Sequence, residues 1–240
     1  KKAEDWDIAR ITQDYADAAE RMKAAGLDGI EIQAYGHLLD QFWSTATNEM
    51  EGAYGGSLEN RMRFSMDVLR AIRTRVGPNF IVGIRYVADE DFDGGITKEE
   101  GLEISYRLKA SGLVDFLNVI RGHIETDAAM TDVIPVQGMR SSPHLDFAGE
   151  IRAATKFPTF HAAKIQDVAT ARHAIASGKL DMVGMTRAHI ADPHIVAKIL
   201  RGEEDRIRPC VGANYCLDRI YMGGMALCLH NPATGRELTE

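Results

Sequence analysis

Residues 80–120 of the chain read FIVGIRYVADEDFDGGITKEEGLEISYRLKASGLVDFLNVI, and this stretch decides the fold. Two largely apolar runs, 80–85 and 115–120, flank a segment over 98–111 that has helical periodicity. Thr97 is a candidate N-cap for that helix, and Gly112 a candidate end. Strands that are apolar on both faces are typical of a parallel sheet covered by helices. The stretch therefore predicts a strand–helix–strand unit of an α/β protein.

The same alternation continues on both sides of this unit. Further strands are predicted over 29–34, 158–162 and 181–185, and further helices over 58–76, 147–155, 168–177 and 194–201. A complete (β/α)8 barrel has about 250 residues, close to the 240 found here, but it needs eight strands and only about five are recognisable. The first element is a helix, which in a barrel follows a strand. We therefore expect the C-terminal part of a barrel, with an open doubly wound sheet as the alternative.

Composition narrows the possible functions. Hydrophobic residues make up 45% of the chain and charged residues 26%, as in globular proteins. The net charge of −7 argues against nonspecific nucleic-acid binding as the main role. No apolar run approaches the roughly 18 residues of a membrane span, and no signal peptide is recognisable, so we expect a cytoplasmic protein without a membrane partner. The chain begins at Lys1 without an initiator methionine, which suggests a portion of a longer protein.

Polar residues follow each predicted strand, and in a barrel the chemistry sits at these C-terminal strand ends. They are Gln33, Tyr35 and His37, then Arg85 and Tyr86, then Arg121, His123, Glu125 and Asp127, then His161 and Lys164, and finally Thr186, Arg187 and His189. Several cations at one mouth suit an anionic, phosphate-bearing cofactor, because arginine can hold phosphate through two hydrogen bonds. For any single residue, the alternative is a solvated loop charge.

The three cysteines, Cys210, Cys216 and Cys228, all lie in the last 31 residues. An odd and clustered set in a chain of this type favours a metal site over structural disulfides. Thiolates at this spacing suit an iron–sulfur cluster or zinc, and either usually takes four ligands. Candidates for the fourth are His230, Asp218 or a residue from outside the chain; three buried free thiols are the alternative.

Taken together, five segments in this order resemble the old yellow enzyme family of flavin oxidoreductases, over nearly the whole chain. The segments are Asp28–Ile32, Leu38–Phe42, Tyr54–Arg61 (YGGSLENR), Gly184–Arg187 with Ala191–Pro193, and Arg208–Cys210. Taken alone, the YGGSLENR segment predicts a structural turn capped by Ser57. The cysteine tail resembles the iron–sulfur branch of the family, which includes trimethylamine dehydrogenase and 2,4-dienoyl-CoA reductase.

The resemblance implies a (β/α)8 barrel that binds FMN, of which this chain supplies about the fourth to the eighth strand. It divides the chain into a partial FMN-binding barrel over 1–204 and an iron–sulfur-type tail over 205–240. The residues implied to bind FMN are Arg85, Ala163, Lys164, Met185, Thr186 and Arg187. Ala163 and Lys164 stand where the family usually has Gly-Arg, so phosphate binding there depends on the backbone angle of Ala163.

The substrate end departs from the family pattern. Ene-reductases of the family hold the substrate's carbonyl oxygen with His, two residues, then His or Asn; here the stretch is Gln33-Ala34-Tyr35-Gly36-His37, one residue short. Gln33, Tyr35 and His37 are therefore the candidate catalytic residues, with Tyr35 and His37 as a general base or a hydrogen-bonding pair for an amine. The aromatic residue that cages trimethylamine in its dehydrogenase aligns with Ile220, beside Tyr221, so trimethylamine is not the expected substrate.

The tail departs from the pattern at one position. Cys210, Cys216 and Cys228 match three of the four cluster ligands, and Ala213 stands at the fourth. The expected site therefore holds a cluster with a substitute ligand, a three-iron cluster, or none.

The resulting functional hypothesis is oxidative N-demethylation of a small methylated amine or amino acid, such as dimethylglycine or N-methylproline. A carboxylate on the substrate would suit the cations His161, Lys164 and Arg121. Electrons would pass to an electron-transfer partner, and we expect a homo-oligomer. The alternatives are an NAD(P)H-dependent alkene or enoyl reductase, and a barrel fragment without activity of its own.

Overall fold

A computed structural model describes residues 3–36 and 38–238, and its core is a five-stranded parallel sheet in the order β1-β2-β3-β4-β5. The strands are β1 (Gly29–Gln33), β2 (Ile81–Val87), β3 (Phe116–Ile120), β4 (Thr159–His161) and β5 (Met182–Val183). Spatial order equals chain order, so the sheet has no point at which the strand order reverses. A doubly wound sheet requires such a reversal. The architecture is therefore the expected C-terminal part of a (β/α)8 barrel.

Helices connect the strands and cover one face of the sheet. They are α1 (Asp5–Ala24), α2 (Leu38–Gln41), α3 (Leu58–Val76), α4 (Lys98–Ala110), α5 (Asp127–Val133), α6 (Leu145–Thr155), α7 (Val168–Ala176), α8 (Thr186–Ala191), α9 (Ile195–Leu200) and α10 (Tyr215–Tyr221), with 3-10 turns at Gly52–Tyr54 and Glu204–Arg206. Val82, Ile84 and Leu117 on the helix side are fully buried. Burying such side chains stabilises the fold by about 1.5–3 kcal/mol each.

The opposite face of the sheet is only partly covered. Phe116 and Phe160 stack on it with ring centroids 4.2 Å apart. Gly83 lies beneath the Phe116 ring, which a Cβ atom at that position would meet at 2.0 Å. Ile81 and Met182 on this face are 46% and 54% exposed. This is the face that points into the interior of a barrel.

The YGGSLENR segment is the structural turn that its sequence predicted. Ser57 caps α3 by accepting a hydrogen bond from the Asn60 N–H at 3.3 Å. A Cβ atom on Gly55 would lie 1.7 Å from the Met50 carbonyl oxygen, so only glycine fits there. Arg61 is buried, donates to the Gly56 carbonyl at 3.1 Å and forms an ion pair with Glu100. The segment therefore joins the loop before α3 to α4.

Several strands differ in length from their predicted ranges. The strand predicted over 80–85 extends to Val87, whereas those predicted over 158–162 and 181–185 shorten to three and two paired residues. The backbone leaves the sheet early after β4 because Ala163 and Lys164 adopt left-handed conformations. None of the described helices is long and apolar enough to cross a membrane.

Candidate functional site

One row of residues crosses the inward face of the sheet near the strand ends. Gln33 is in register with Arg85, Arg85 with Asn118, Asn118 with Phe160, and Phe160 with Met182. Neighbours in parallel register point to the same face. The row is polar on the β1 side and apolar on the β5 side, so a ligand lying across it meets both kinds of surface.

A cavity of about 280 Å³, here called the strand-end cavity, opens above this row. It lies between the ends of β2, β4 and β5 and the first turns of α8 and α10. Its lining includes all six residues expected to contact FMN: Arg85, Ala163, Lys164, Met185, Thr186 and Arg187. These residues are up to about a hundred positions apart in the chain, and the parallel sheet brings them together at one edge.

Buried polar atoms without a hydrogen-bond partner concentrate around this edge. Among the described residues they include Arg85 Nε, the Tyr35 hydroxyl, Asn118 Oδ1 and His161 Nε2. Most buried polar groups in folded proteins have a partner. A group of unpartnered atoms at one end of a sheet therefore indicates a polar ligand there.

The turn after β4 has an unusual backbone conformation at two successive residues. Ala163 and Lys164 have φ angles of 84° and 57°. The sequence argument for phosphate binding depended on an ordinary φ at Ala163, and that condition is not met. A left-handed residue beside others in a turn directs successive backbone N–H groups toward one side, which favours an anion. Strain at a non-glycine residue of this kind costs about 1–3 kcal/mol and is concentrated at functional sites.

Two of the three cations that line the strand-end cavity, Lys164 and Arg187, are held by backbone carbonyls. Lys164 Nζ donates to the carbonyl of Val136 at 2.7 Å and to that of Met139. Arg187 donates to the Pro135 carbonyl at 2.8 Å and to the Asn214 side-chain oxygen. The loop over 134–142 therefore fixes both side chains against the wall of the cavity.

Tyr35 lies just beyond β1 and is 7% exposed. Burial, followed by the nearby Asp40 carboxylate, raises the pKa of its phenol well above the ordinary value, while Arg85 lowers it. A raised pKa keeps the phenol neutral, which favours the hydrogen-bonding role predicted for Tyr35 over the general-base role. Gln33 Nε2 donates to the Tyr35 carbonyl at 2.8 Å. His37 lies outside the described residues.

Two of the three cations expected to meet a substrate carboxylate are unsuited to that role. Burial lowers the pKa of His161 to about 4, so its imidazole is neutral near pH 7; Nδ1 donates to the Val119 carbonyl at 2.7 Å. Arg121 is paired with Asp89 at 2.9 Å and with Asp91 at 2.6 Å. No sequence pattern indicates these contacts, because each one depends on a neighbour that only the fold brings close.

The three cysteines come together in the tail. Cys210, Cys216 and Cys228 are free thiols that line a second, smaller cavity of about 30 Å³, here called the cysteine cavity. Ala213 also lines it. Gln166 Nε2 donates to the Cys210 sulfur at 3.3 Å. Cys216 and Arg187 line both cavities, so the tail is in direct contact with the strand-end cavity.

The thiols surround a space instead of converging on a point. Within the described residues, no three His, Cys, Asp or Glu side chains are placed to hold one metal ion. The arrangement therefore fits the zinc alternative poorly. A cluster of several iron atoms has ligands that are further apart, and three thiols on one cavity provide the donor type that iron–sulfur clusters use.

Comparison with protein families matches residues 1–206 to the NADH:flavin oxidoreductase / NADH oxidase family. The chain belongs to this family. The resemblance found in the sequence is thereby confirmed, and with it an FMN-dependent oxidoreductase of the old yellow enzyme type. The strand-end cavity and the unpartnered Arg85 Nε suit a flavin, whereas phosphate binding at the Ala163 turn stays a prediction.

Two curated relatives and one solved structure of the flavin oxidoreductase type show the range of the similarity. A probable N-methylproline demethylase of Rhizobium meliloti is 74% identical over 100% of this chain and 35% of its own length. An N,N-dimethylglycine/sarcosine dehydrogenase of Chromohalobacter salexigens is 45% identical over 99% of the chain and 34% of its own length. The structure of a 2-naphthoyl-CoA reductase complex superposes with a TM-score of 0.93 at 29% identity, over 100% of this chain and 36% of that one.

The chain thus spans about a third of the length of the curated relatives that it matches. Their full length includes parts that have no counterpart among these 240 residues. Activity, substrate and partners of the whole protein are therefore matters for proposal.

Two residues near the candidate site of this flavin oxidoreductase fold, Asn118 and Asn214, were not predicted from the sequence. Asn118 belongs to the inward row and donates to Glu31 at 2.8 Å. A polar residue in the middle of the apolar run 116–120 was the available signal. Asn214 links Arg187 to the Ile134 carbonyl, which it reaches at 3.2 Å. No local pattern marks Asn214, because both of its partners are far away in the chain.

Proposed function

We propose that the protein is an FMN-dependent dehydrogenase that demethylates a small N-methylated amino acid. The observation that carries this proposal is the strand-end cavity, in which the six residues expected to contact FMN lie together beside the neutral phenol of Tyr35. The relatives named for N-methylproline and for N,N-dimethylglycine and sarcosine support this substrate class.

FMN, when bound, supplies the acceptor for a hydride from the N-methyl carbon. Loss of that hydride from the neutral tertiary amine leaves an iminium ion, which water hydrolyses to formaldehyde, the demethylated amine and a proton. The residues of the chain bind and orient the reactants. Arg85, whose Nε has no partner, would donate to a polar edge of the flavin, and the turn at Ala163 and Lys164 would hold its phosphate.

Tyr35 and Gln33 lie on the substrate side. Because its phenol is neutral, Tyr35 orients the substrate by hydrogen bonding and leaves proton removal to another group, for which His37 is our candidate. Ile220 of α10 lines the strand-end cavity, so the tail forms part of its wall. An iron–sulfur cluster held by Cys210, Cys216 and Cys228 would carry single electrons toward an electron-transfer partner.

The test is anaerobic mixing of the full-length protein with N-methylproline or dimethylglycine. We expect loss of the oxidised-flavin absorbance band and release of formaldehyde. Proline and glycine, which lack the methyl group, are the matched controls and should leave the band unchanged. Absence of bleaching with every methylated amine, together with rapid reoxidation of the reduced flavin by an enone, would overturn the proposal.

A second candidate is an NAD(P)H-dependent alkene or enoyl reductase. The superposition on a structure named as a CoA-ester reductase favours it. The absence of a His-x-x-His or His-x-x-Asn pair after β1 speaks against it. Flavin reduction by NADH or NADPH without any amine, followed by reoxidation by an enoyl thioester, would select this function.

A further inference from the structure

The cysteine cavity has three thiols for a group that normally takes four ligands. Ala213 lines the cavity at the position where the fourth cysteine is missing, and its methyl group cannot bind iron. Within the part of the chain that the structure describes, a fourth protein ligand must therefore come from another residue on the same cavity. Of the His, Asp and Glu side chains that the structure describes, His230 is the one that lines it.

The hydrogen bond of His230 leaves one ring nitrogen suited to metal binding. Its Nδ1 lies 2.7 Å from the Pro209 carbonyl oxygen. A carbonyl only accepts, so Nδ1 carries the proton, and in the neutral ring Nε2 keeps a free lone pair. Histidines that bind metals almost always donate their other N–H in this way, often to a backbone carbonyl.

The same hydrogen bond holds together the two segments that carry the ligands. Pro209 precedes Cys210, and His230 follows Cys228 by two residues. Next to His230, the buried Asn231 donates to the Ile190 carbonyl at 2.9 Å and accepts from Arg208 at 3.2 Å. The hydrogen bond to Pro209 and the contacts of the adjacent Asn231 therefore hold His230 in place without a metal.

The other candidates fit less well. Asp218 is exposed on α10 and does not line the cavity. Asn214 lines it, but its amide oxygen is taken by Arg187 and its amide nitrogen by the Ile134 carbonyl. Imidazole, in contrast, is an established substitute for thiolate on iron–sulfur clusters.

We propose that His230 is the fourth protein ligand of an iron–sulfur cluster in the cysteine cavity, bound through Nε2 and standing in for the thiol that Ala213 lacks. The inference rests on the electron-transfer part of the proposed function. A neutral imidazole in place of an anionic thiolate makes the cluster less negative. It therefore raises the reduction potential above that of the same cluster with four thiolates.

The experiment uses the intact protein, purified or reconstituted without oxygen and then reduced, with pulsed EPR as the readout. We expect the strong ¹⁴N coupling of a directly bonded imidazole in the wild type and in the exposed control variant His173→Ala. In His230→Cys we expect full iron content, loss of that coupling and a lower reduction potential. In His230→Ala we expect loss of the coupling together with a reduced iron content.

A wild-type cluster without this coupling, unchanged spectra in both His230 variants, or a flavin-containing protein that binds no iron would each overturn the proposal. Flavin bleaching by the methylated substrate is measured on the same samples. Bleaching without the ¹⁴N coupling refutes the ligand proposal alone. The ¹⁴N coupling without bleaching refutes the proposed demethylation alone.

Discussion

Arg85 lies on β2 and His161 on β4, with β3 between them. Burial affects the charge of these two residues differently. Arg85 is half-buried and keeps its charge, although Nε has no partner in the described chain. His161 is 1% exposed and gives up its charge, because desolvation disfavours the protonated imidazole. The Arg85 guanidinium therefore lines the strand-end cavity as a cation, whereas the buried His161 imidazole is neutral.

Replacing Arg85 with Ala should weaken FMN binding. A hydrogen bond to a charged group contributes about 1.5–3 kcal/mol, so the dissociation constant should rise about 10- to 100-fold. Flavin fluorescence titration of the apoprotein measures it. Arg10, which is exposed and paired with Asp14, provides the control variant Arg10→Ala. Equal FMN affinity in the two variants would contradict the role given to Arg85.

His161 should make stability fall on acidification. Its folded-state pKa of about 4 lies below its ordinary value of 6.5, so the unfolded chain takes up the proton first. Stability is full above pH 6.5 and is lost as the pH falls toward 4, by at most about 3 kcal/mol from this residue. We expect His161→Asn, whose amide can still donate to the Val119 carbonyl, to lose less stability in that window. Denaturant melts at pH 7 and 4.5 compare the two, and parallel losses would refute the assignment.

At the scale of elements, an ion pair from the first turn of α3 connects this helix to α4. Arg61 leaves the first turn of α3 and reaches Glu100 in the first turn of α4, and both side chains are mostly buried. The pair therefore fixes the spacing of two neighbouring βα units. Arg107 and Glu103 of α4 form a comparable pair with 40% and 49% of their side chains exposed.

Arg61→Ala should destabilise the protein by about 3 kcal/mol, because it leaves the Glu100 carboxylate partly buried without its partner. Arg107→Ala should cost about 0.5 kcal/mol, since exposed pairs are screened by water. Urea unfolding of the two variants gives the comparison. Similar losses would mean that Arg61 contributes packing and not charge pairing.

The strongly periodic elements could be predicted from the sequence, and the weak ones could not. Helix α3 begins and ends at the predicted residues 58 and 76, because Ser57 and Gly77 mark both ends. Helices α5 and α10 span seven residues each and were not predicted, since so short a run shows little periodicity. The positions that line the strand-end cavity, whose contact with FMN stays a prediction, followed from strand ends and family resemblance. The neutral state of Tyr35 and His161 did not, because it depends on burial by distant residues.

At the scale of the whole molecule, the sheet has two unpaired edges. Within the described residues β1 pairs only with β2, and β5 only with β4. Open parallel edges and a partly covered inner face favour pairing with further strands. The division of the chain at residue 204 into barrel and tail stays a prediction, as does the homo-oligomer.

Residues 1–240 expressed alone should therefore self-associate or stay partly unfolded, in contrast to the full-length protein. Size-exclusion chromatography with light scattering, together with a thermal melt, is the measurement. A monomer that melts cooperatively and binds FMN would contradict this expectation. That result would also refute the alternative that the chain is a barrel fragment without activity of its own.

The loop over 134–142 has a consequence for protein recombination. Gln137 N–H donates to the Gly212 carbonyl at 2.8 Å, and Asn214 joins Ile134 to Arg187. A chimaera that exchanged only the cysteine tail with a homologue would break these hydrogen bonds and release Arg187, which lines the strand-end cavity. The loop and the tail are thus expected to be inherited as a pair, although about seventy residues of barrel separate them.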